Sequence, residues 1–421
     1  MAIIVQKFGG SSVATPERIM RVARRVVETK EAGNQVIVIV SAMGDSTDDL
    51  IALAKAITDK PQAREMDMLL ATGEIVSISL LAMAIDKLGH GVVSLTGSQG
   101  GILTEEVHGK AKIMEVNPER IHAELDNGNI VIVAGFQGVT EAGEITTLGR
   151  GGSDTTAVAI AAAMQADVCE IFTDVDGIYT TDPRIVPKAR KLSTITYDEM
   201  LELASLGAQV LHPRSVELGK EYGVPIHVRS SFNHNPGTLV QEVSDEMGKE
   251  QMEKELMVSG VAYDMNVAKI GLFDVPDKPG VAMIIFKALA EARVNVDMII
   301  QSAMRDNRND IAFTVVQDDL ETAVKVVEDV QKQIGGGAVA FEDNVAKVSI
   351  VGAGMISRPG VAAKMFEVLA NESINIQMIA TSEIKVSCVV MATDAKRAVV
   401  AIHEAFGLEA GEAANNEGFA S

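Results

Sequence analysis

The chain has 421 residues, too many for one compact core, so about two or three domains are expected. Its 47% hydrophobic fraction is that of a globular protein, and 37 Lys and Arg against 58 Asp and Glu give a net charge of −21. That balance argues against nucleic acid or an anionic membrane as partner, although an acidic shell can still hold a basic pocket for a small substrate.

The N-terminus, MAIIVQKFGG, lacks the apolar region of a signal peptide. Short continuous apolar runs at residues 2–6, 35–41, 91–95, 129–135 and 168–174 predict strands buried on both faces of a parallel sheet. Amphipathic patterns between them predict helices over 16–32, 47–58, 63–88, 118–127 and 153–165, the first with Thr15 as N-cap and Pro16 at its first position. The longest apolar run, residues 75–85, is far short of the roughly 20 residues that span a bilayer and reads as a buried helix. A soluble, cytoplasmic protein is expected. Cys169 and Cys388 lie in strand-like runs without metal-type spacing and read as reduced buried thiols.

Strand–helix alternation predicts an α/β sandwich that binds ligands at the carboxyl ends of its strands. KFGGSS (7–12), SAMGDST (41–47), AGFQG (134–138) and TDVDG (173–177) all follow strands directly and would gather along one rim. Residues 241–255, QEVSDEMGKEQMEKE, are highly charged and read as a linker. Beyond it, PGVAMIIFKALAEARVNVDMIIQS from Pro279 aligns without gaps onto PGVAAKMFEVLANESINIQMIATS from Pro359, with 11 of 24 positions identical. Each copy reads strand, PG turn, helix, strand, strand, so the C-terminal part is a duplicated α+β module.

Two glycine-rich turns carry the chemistry. Glycines let backbone approach an anion, and N–H groups at a helix start point at it. KFGGSS is either a plain strand-to-helix turn or a phosphate cradle; Lys7 favours the second, since an ammonium at a buried strand end can stabilise a transferring phosphoryl group. In TLGRGGSDTTA (147–157), Ser153 or Asp154 could simply cap the next helix, but that leaves Arg150, Gly151 and Gly152 unexplained. Arg150 can clamp a carboxylate with two parallel hydrogen bonds. TDVDGIYTTDPR (173–184) is either a surface loop with Asx turns or a nucleotide clasp using Thr173, Asp174, Tyr179 and Arg184. Glu74, in an otherwise apolar helix side, is either a helix-face residue or a carboxylate for a substrate ammonium. GAGM (352–355) lacks the third glycine and acidic follow-up of a dinucleotide fingerprint, GxxxxGK[ST] is absent, and the seven histidines form no triad or metal pattern.

In this order, KFGGSS, SAMGDSTDDL, GFQG, TTLGRGGSDTTA and TDVDGIYTTDPR resemble aspartate kinase of the amino-acid kinase superfamily, and the C-terminal repeats resemble paired ACT domains. The compact length is similar to the monofunctional, lysine- and threonine-controlled actinobacterial type. The resemblance implies a three-layer αβα sandwich on a mostly parallel sheet over residues 1–245. It also implies a linker and first regulatory strand over 246–264, and ferredoxin-like ACT domains over 265–343 and 344–421. It implies phosphoryl transfer from ATP to the β-carboxylate of L-aspartate, the first step toward lysine, threonine and methionine, with Mg²⁺ held mainly by phosphates and no protein metal site. A carboxylate acceptor with a reference pKa of about 3.9 is already ionised and requires no general base, so catalysis reduces to alignment and charge neutralisation.

Carried over by motif, Lys7 would neutralise the transferring phosphoryl group, with Phe8, Gly9, Gly10 and Ser11 around the phosphates. Arg150 would hold the α-carboxylate of aspartate and Glu74 its ammonium. Ser41, Thr47, Gly151, Gly152, Ser153 and Asp154 would complete the substrate site. Thr173, Asp174, Tyr179, Asp182 and Arg184 would hold ATP. The family commonly reads GAKVLHPR where this chain has GAQVLHPR, so Gln209 replaces a nucleotide-contacting lysine.

Lysine and threonine would bind between ACT modules across a dimer interface of a homo-oligomer. The expected contacts are Asp277, Lys278, Pro279, Gly280, Ala282, Asn295, Val296, Asp297 and Gln301 in the first copy, and Asn375, Ile376, Thr381 and Ser382 in the second. Asp297 aligns with Gln377 and Gln301 with Thr381, so one lysine-type and one threonine-type contact set are expected. In relatives the strand before the first repeat joins the second, which points to residues 256–262. Some relatives make a regulatory subunit from an internal start, for which Met247 and Met252 are suitably placed. Two further readings stand beside this one. The first is an amino-acid kinase for glutamate, acetylglutamate, carbamate or UMP, whose members generally lack paired ACT modules. The second is a non-catalytic amino-acid sensor, against which Lys7, Arg150 and Asp154 count.

Overall fold

The computed structural model describes residues 1–207, 210–242, 258–302, 306–355 and 358–409. The chain divides into two compact units, Met1–Ile178 with Lys191–Ala204 and Gln209–Gly248, and Tyr179–Arg190 with Ser205–Ala208 and Lys249–Ser421. Residues 179–190, within the 1–245 span expected from sequence, group by their contacts with the second unit.

The first unit runs β1 (Ile3–Phe8), α1 (Pro16–Glu31), β2 (Gln35–Val40), α2 (Ser46–Ile57), α3 (Ala63–Lys87), β3 (Val92–Leu95), β4 (Ile102–Thr104), β5 (Ile113–Val116), α4 (Glu119–Asp126), β6 (Ile130–Ala134), β7 (Gln137–Val139), β8 (Ile145–Thr147), α5 (Gly152–Ala163), β9 (Val168–Thr173), β10 (Thr194–Ile195), α6 (Tyr197–Ser205), α7 (Pro213–Tyr222), β11 (Ile226–Ser230) and β12 (Thr238–Val240). Eight strands form one sheet in the order β10-β12-β11-β9-β1-β2-β6-β3, parallel throughout except β11 with β12. The expected α/β fold is thus present. Alternate residues of β2 and β6 explain the absence of polar alternation in the sequence. Val36, Val38, Val40, Ile130 and Ile132 share a core with Ile19, Val22 and Val26 of α1 and Ile78, Leu81 and Ile85 of α3. On the other face Ile37, Ile39, Val131 and Val133 are equally buried, on the side where small-residue α5 packs on the sheet.

Two features depart from the sequence reading. β5-β4-β7-β8 form a separate small sheet whose strands of three or four residues carry too little periodicity to announce themselves. The apolar run 75–85 belongs to a helix buried on one face only: Val76 is 51% and Met83 66% exposed. By length and composition this 25-residue helix is apolar enough to cross a membrane, but its inner row packs in the first unit's core.

The second unit runs β13 (Gly260–Pro276), α8 (Val281–Glu291), β14 (Ile299–Gln301), β15 (Arg308–Val315), α9 (Leu320–Ile334), β16 (Val339–Val351), α10 (Val361–Asn371), β17 (Met378–Thr381), β18 (Lys385–Met391) and α11 (Ala395–Ala405). Its six strands form one antiparallel sheet, β14-β15-β13-β16-β18-β17. The repeat is visible residue by residue. α8 and α10 each have 11 residues and start after Gly280 (φ 94°) and Gly360 (φ 96°), and Arg293 (φ 61°) and Ser373 (φ 57°) follow them. β13 serves both copies: Val261 lies in a core with Met365, Leu369 and Ile402, while Ala268, Ile270 and Leu272 lie in one with Ile285, Leu289 and Val327.

One polar row crosses the first unit's sheet. Gln6, Glu170 and His227 occupy paired positions on β1, β9 and β11. Glu170 accepts from Gln6 Nε2 at 2.8 Å and from Arg229 Nη1 at 2.7 Å. Removing one partner of this partly buried ion pair leaves the other charge poorly compensated. Arg229→Met is expected to cost about 3 kcal/mol, and adding Glu170→Gln to recover part of that loss. Urea denaturation of wild type and both variants checks this.

Candidate active site

The site begins with strand register. Phe8 pairs with Val40 on one side and Phe172 on the other, and Val40 pairs with Ala134, so β9, β1, β2 and β6 end side by side. The four loops that the sequence places after strands therefore emerge together on one rim. Gly9 N donates to Phe172 O at 3.4 Å, Ser41 N to Phe8 O at 3.1 Å, and Gly135 N to Val40 O at 3.1 Å. Gly10 is required by packing, since a Cβ there would stand 2.8 Å from Ala42 O. Ser11 is exposed beside it.

Lys7 Nζ lies 2.6 Å from Asp154 Oδ1, with side chains 12% and 13% exposed. The ammonium lies within reach of Gly9, whose Cβ would stand 3.5 Å from Nζ. Asp154 is in the first turn of α5, where a carboxylate suits the helix dipole. It is not the cap, and neither is Ser153. The N-cap is Gly151 at φ 72°, without a side-chain cap bond. A Cβ on Gly151 would stand 2.2 Å from the His212 ring, and one on Gly152 2.9 Å from the Phe136 ring, so both glycines of RGGSD are fixed by space. Ser153 is buried and Arg150 is exposed.

Glu74 is 2% exposed on α3. Its Oε1 accepts from Ala42 N at 3.1 Å, while Oε2 is buried without a partner among the described residues. Gly73 beside it abuts Ala42, where a Cβ would stand 2.8 Å from the alanine's own. Burial pushes the Glu74 carboxyl up from 4.5 to about 7. Ser41 follows β2 and Thr47 stands in the first turn of α2. Thr173 Oγ1 donates to Asp174 Oδ1 at 3.1 Å at the end of β9.

Three neighbours escaped the sequence reading. His212 caps α7, accepting from Arg214 N at 3.3 Å, and burial holds its imidazole below the ordinary range despite Asp154 nearby. Arg214 donates to Leu148 O at 3.0 Å and Ala111 O at 3.2 Å, bracing the turn before Arg150. Asp67 is buried two helical turns before Glu74. The HPR triplet and the i, i+7 carboxylates were their only sequence signals.

Residues 2–230 match the amino acid kinase family, and residues 274–331 and 348–406 match the ACT domain. The chain is 53% identical to the aspartokinase of Mycolicibacterium smegmatis over 97% of each sequence. It resembles the structure of E. coli aspartokinase III in complex with aspartate and ADP in its R-state, with a TM-score of 0.80 and 26% identity over 96% of this chain and 99% of the other. The lysine- and aspartate-bound T-state of that enzyme gives a TM-score of 0.72 at 27% identity over the same shares. The chain belongs to the aspartokinase family.

Other residues expected from aspartokinases fall in the second unit. Tyr179 packs against its hydrophobic cluster, Thr180 Oγ1 meets His403 Nε2 at 2.8 Å, and Arg184 pairs with Asp182 at 2.8 Å. That arginine holds the Asp182 carboxyl below its usual range. Among the effector candidates, Asp277 accepts from Asn309 Nδ2 at 3.2 Å, and Lys278 and Pro279 precede the Gly280 cap of α8, whose first turn holds Ala282. Asn295 and Val296 lead to Asp297, which pairs with Lys347 of the other copy, and Gln301 ends β14. Asn375 and Ile376 lead to Gln377, which pairs with Lys269, while Thr381 ends β17 just before Ser382. Gln209, Met247 and Met252 lie outside the described residues.

The raised Glu74 carboxyl sets a pH dependence. The native state keeps this proton to about pH 7, whereas the unfolded chain releases it near 4.5. The group therefore costs nothing below pH 4.5 and destabilises progressively up to about 7, by at most about 3 kcal/mol. Glu74→Gln should gain stability relative to wild type between pH 5 and pH 8 by denaturant titration; an unchanged difference would contradict the shift.

Proposed function

We propose that this protein transfers the γ-phosphoryl group of ATP to the β-carboxylate of L-aspartate, giving 4-phospho-L-aspartate. The observation that carries the reading is Glu74 Oε2, a buried oxygen that meets no donor among the described residues. A substrate ammonium supplies that donor, and its charge would draw the Glu74 carboxyl back toward ionisation. The acceptor is thus an amino acid, and the family's aspartate is the natural choice.

Lys7 neutralises charge on the transferring group while Asp154 holds it in place. Arg150 takes the α-carboxylate, and Ser41, Thr47 and Ser153 complete the acceptor pocket. The backbone of Gly9, Gly10 and Ser11, opening a short 3₁₀ turn, takes the nucleotide phosphates, with Thr173 and Asp174 beside them. Mg²⁺ would enter with the nucleotide and supply further charge neutralisation at the phosphates. His212, kept neutral, is spared base chemistry because the attacking carboxylate is already ionised. The same reading makes this a cytoplasmic homo-oligomer. It catalyses the first step toward lysine, threonine and methionine, with lysine or threonine inhibiting through the ACT modules and a separate regulatory subunit arising from an internal start.

Hydroxylamine trapping of acyl phosphate tests this, with MgATP and either L-aspartate or L-glutamate, each alone, with lysine, with threonine and with both. Aspartate-specific product suppressed by an effector is the expected result; folded protein yielding none would favour the non-catalytic sensor. Lys7→Ala should lower turnover by about 10²–10³-fold while effector binding, read by calorimetry, persists.

A further inference from the structure

We infer that Asp67 is a positioning residue for the acceptor site, fixing the 147–150 turn that carries Arg150. The inference rests on the proposed role of Arg150. Asp67 is 0% exposed in the interior of α3. A carboxylate there costs desolvation and adds nothing to the helix itself. Among the described residues its donors come from outside the helix. Thr147 Oγ1 donates at 2.5 Å, Gly109 N donates to both oxygens at 3.1 and 3.0 Å, and His108 Nδ1 lies 2.8 Å from Oδ2.

These partners are the two backbone segments that make the turn. Thr147 ends β8 three residues before Arg150. The 108–109 loop lies against the turn's own backbone, for a Cβ on Gly149 would stand 3.0 Å from Gly109 O. Ala111 N donates to Thr147 O at 3.0 Å, and Arg214 braces Leu148 O at 3.0 Å from the other side. Asp67 and Glu74 share the inner row of α3 with Ala71 and Ile78. One rigid helix therefore holds the ammonium acceptor directly and the carboxylate clamp at one remove, which fixes the spacing between them. A ligand that must reach both groups is sensitive to small errors in that spacing.

Steady-state kinetics of Asp67→Asn, Thr147→Val and Thr147→Ser in the full-length protein test the inference, with circular dichroism as the folding control. Asp67→Asn and Thr147→Val should each raise the KM for aspartate about tenfold and leave the KM for ATP within about twofold. Thr147→Ser, which keeps the hydroxyl, should stay near wild type. If Asp67→Asn does not fold, the valine and serine pair decides. Folded variants with unchanged aspartate KM, or with both KM values rising together, would overturn it. Arg150→Ala separates the two layers. If it leaves the aspartate KM unchanged, the role of Arg150 falls first. If it raises that KM and the other variants do not, only the role of Asp67 falls.

Discussion

An ammonium stationed at the end of a buried strand dictates much of the first unit. Lys7 shares its face of β1 with Val5, and its register partners Ile39 and Ile171 are buried. At 12% exposure it needs a counter-charge, and Asp154 provides one at 2.6 Å. Asp154 can be there only because α5 starts where it does, and that start depends on Gly151. The residue has a left-handed backbone and no room for a side chain against His212. Cation, counter-ion, helix start and glycine turn are thus one constraint. Moving any of them moves the charge that faces Gly9.

The same economy governs α3. A 25-residue helix with a largely apolar sequence buries two carboxylates on its inner row. Asp67 is saturated by donors, and its charge is spent on holding backbone. Glu74 is held by one backbone N–H and left with a free oxygen, and burial lifts it toward neutrality. Identical chemistry at i and i+7 gives a saturated structural anchor and a carboxyl with an open oxygen, distinguished by what the neighbouring loops offer.

Much of this was legible in the sequence, for definite reasons. Strands buried on both faces left unbroken apolar runs, and parallel register turned loops scattered over 170 residues into one rim. Lys7 and RGGSD stood out because charges and paired glycines at strand ends are costly without a use. Asp67 did not, because in AREMDMLL it is one charged residue among several, and only its burial separates it from Glu65. His212 and Arg214 act through the turn they touch, which no local pattern records. Residues 179–190 continue a loop in sequence, yet Tyr179 and Ile185 find their apolar partners in the second unit's core. Contact, not continuity, decides where such a segment belongs.

The duplicated modules show how far a repeat can diverge while remaining a repeat. Identical residues at Pro279/Pro359, Gly280/Gly360 and Phe286/Phe366 keep the helix entry and the core. The sheet also brings Met298, just before β14, and Met378, at the start of β17, into one cluster with Val267, Val345 and Val389. At this seam the polar partners cross over, Asp297 to Lys347 and Gln377 to Lys269. The geometry is symmetric and the charge is not. Lys347 is 4% exposed and requires an anion, so a neutral side chain at 297 would leave a buried ammonium uncompensated. Gln377 can accept from Lys269 without neutralising it, which is tolerable because Lys269 is less deeply buried. The two copies therefore cannot exchange these residues. The seam therefore presents an ion pair on one side and an ammonium held by an amide on the other, an asymmetry fixed by folding.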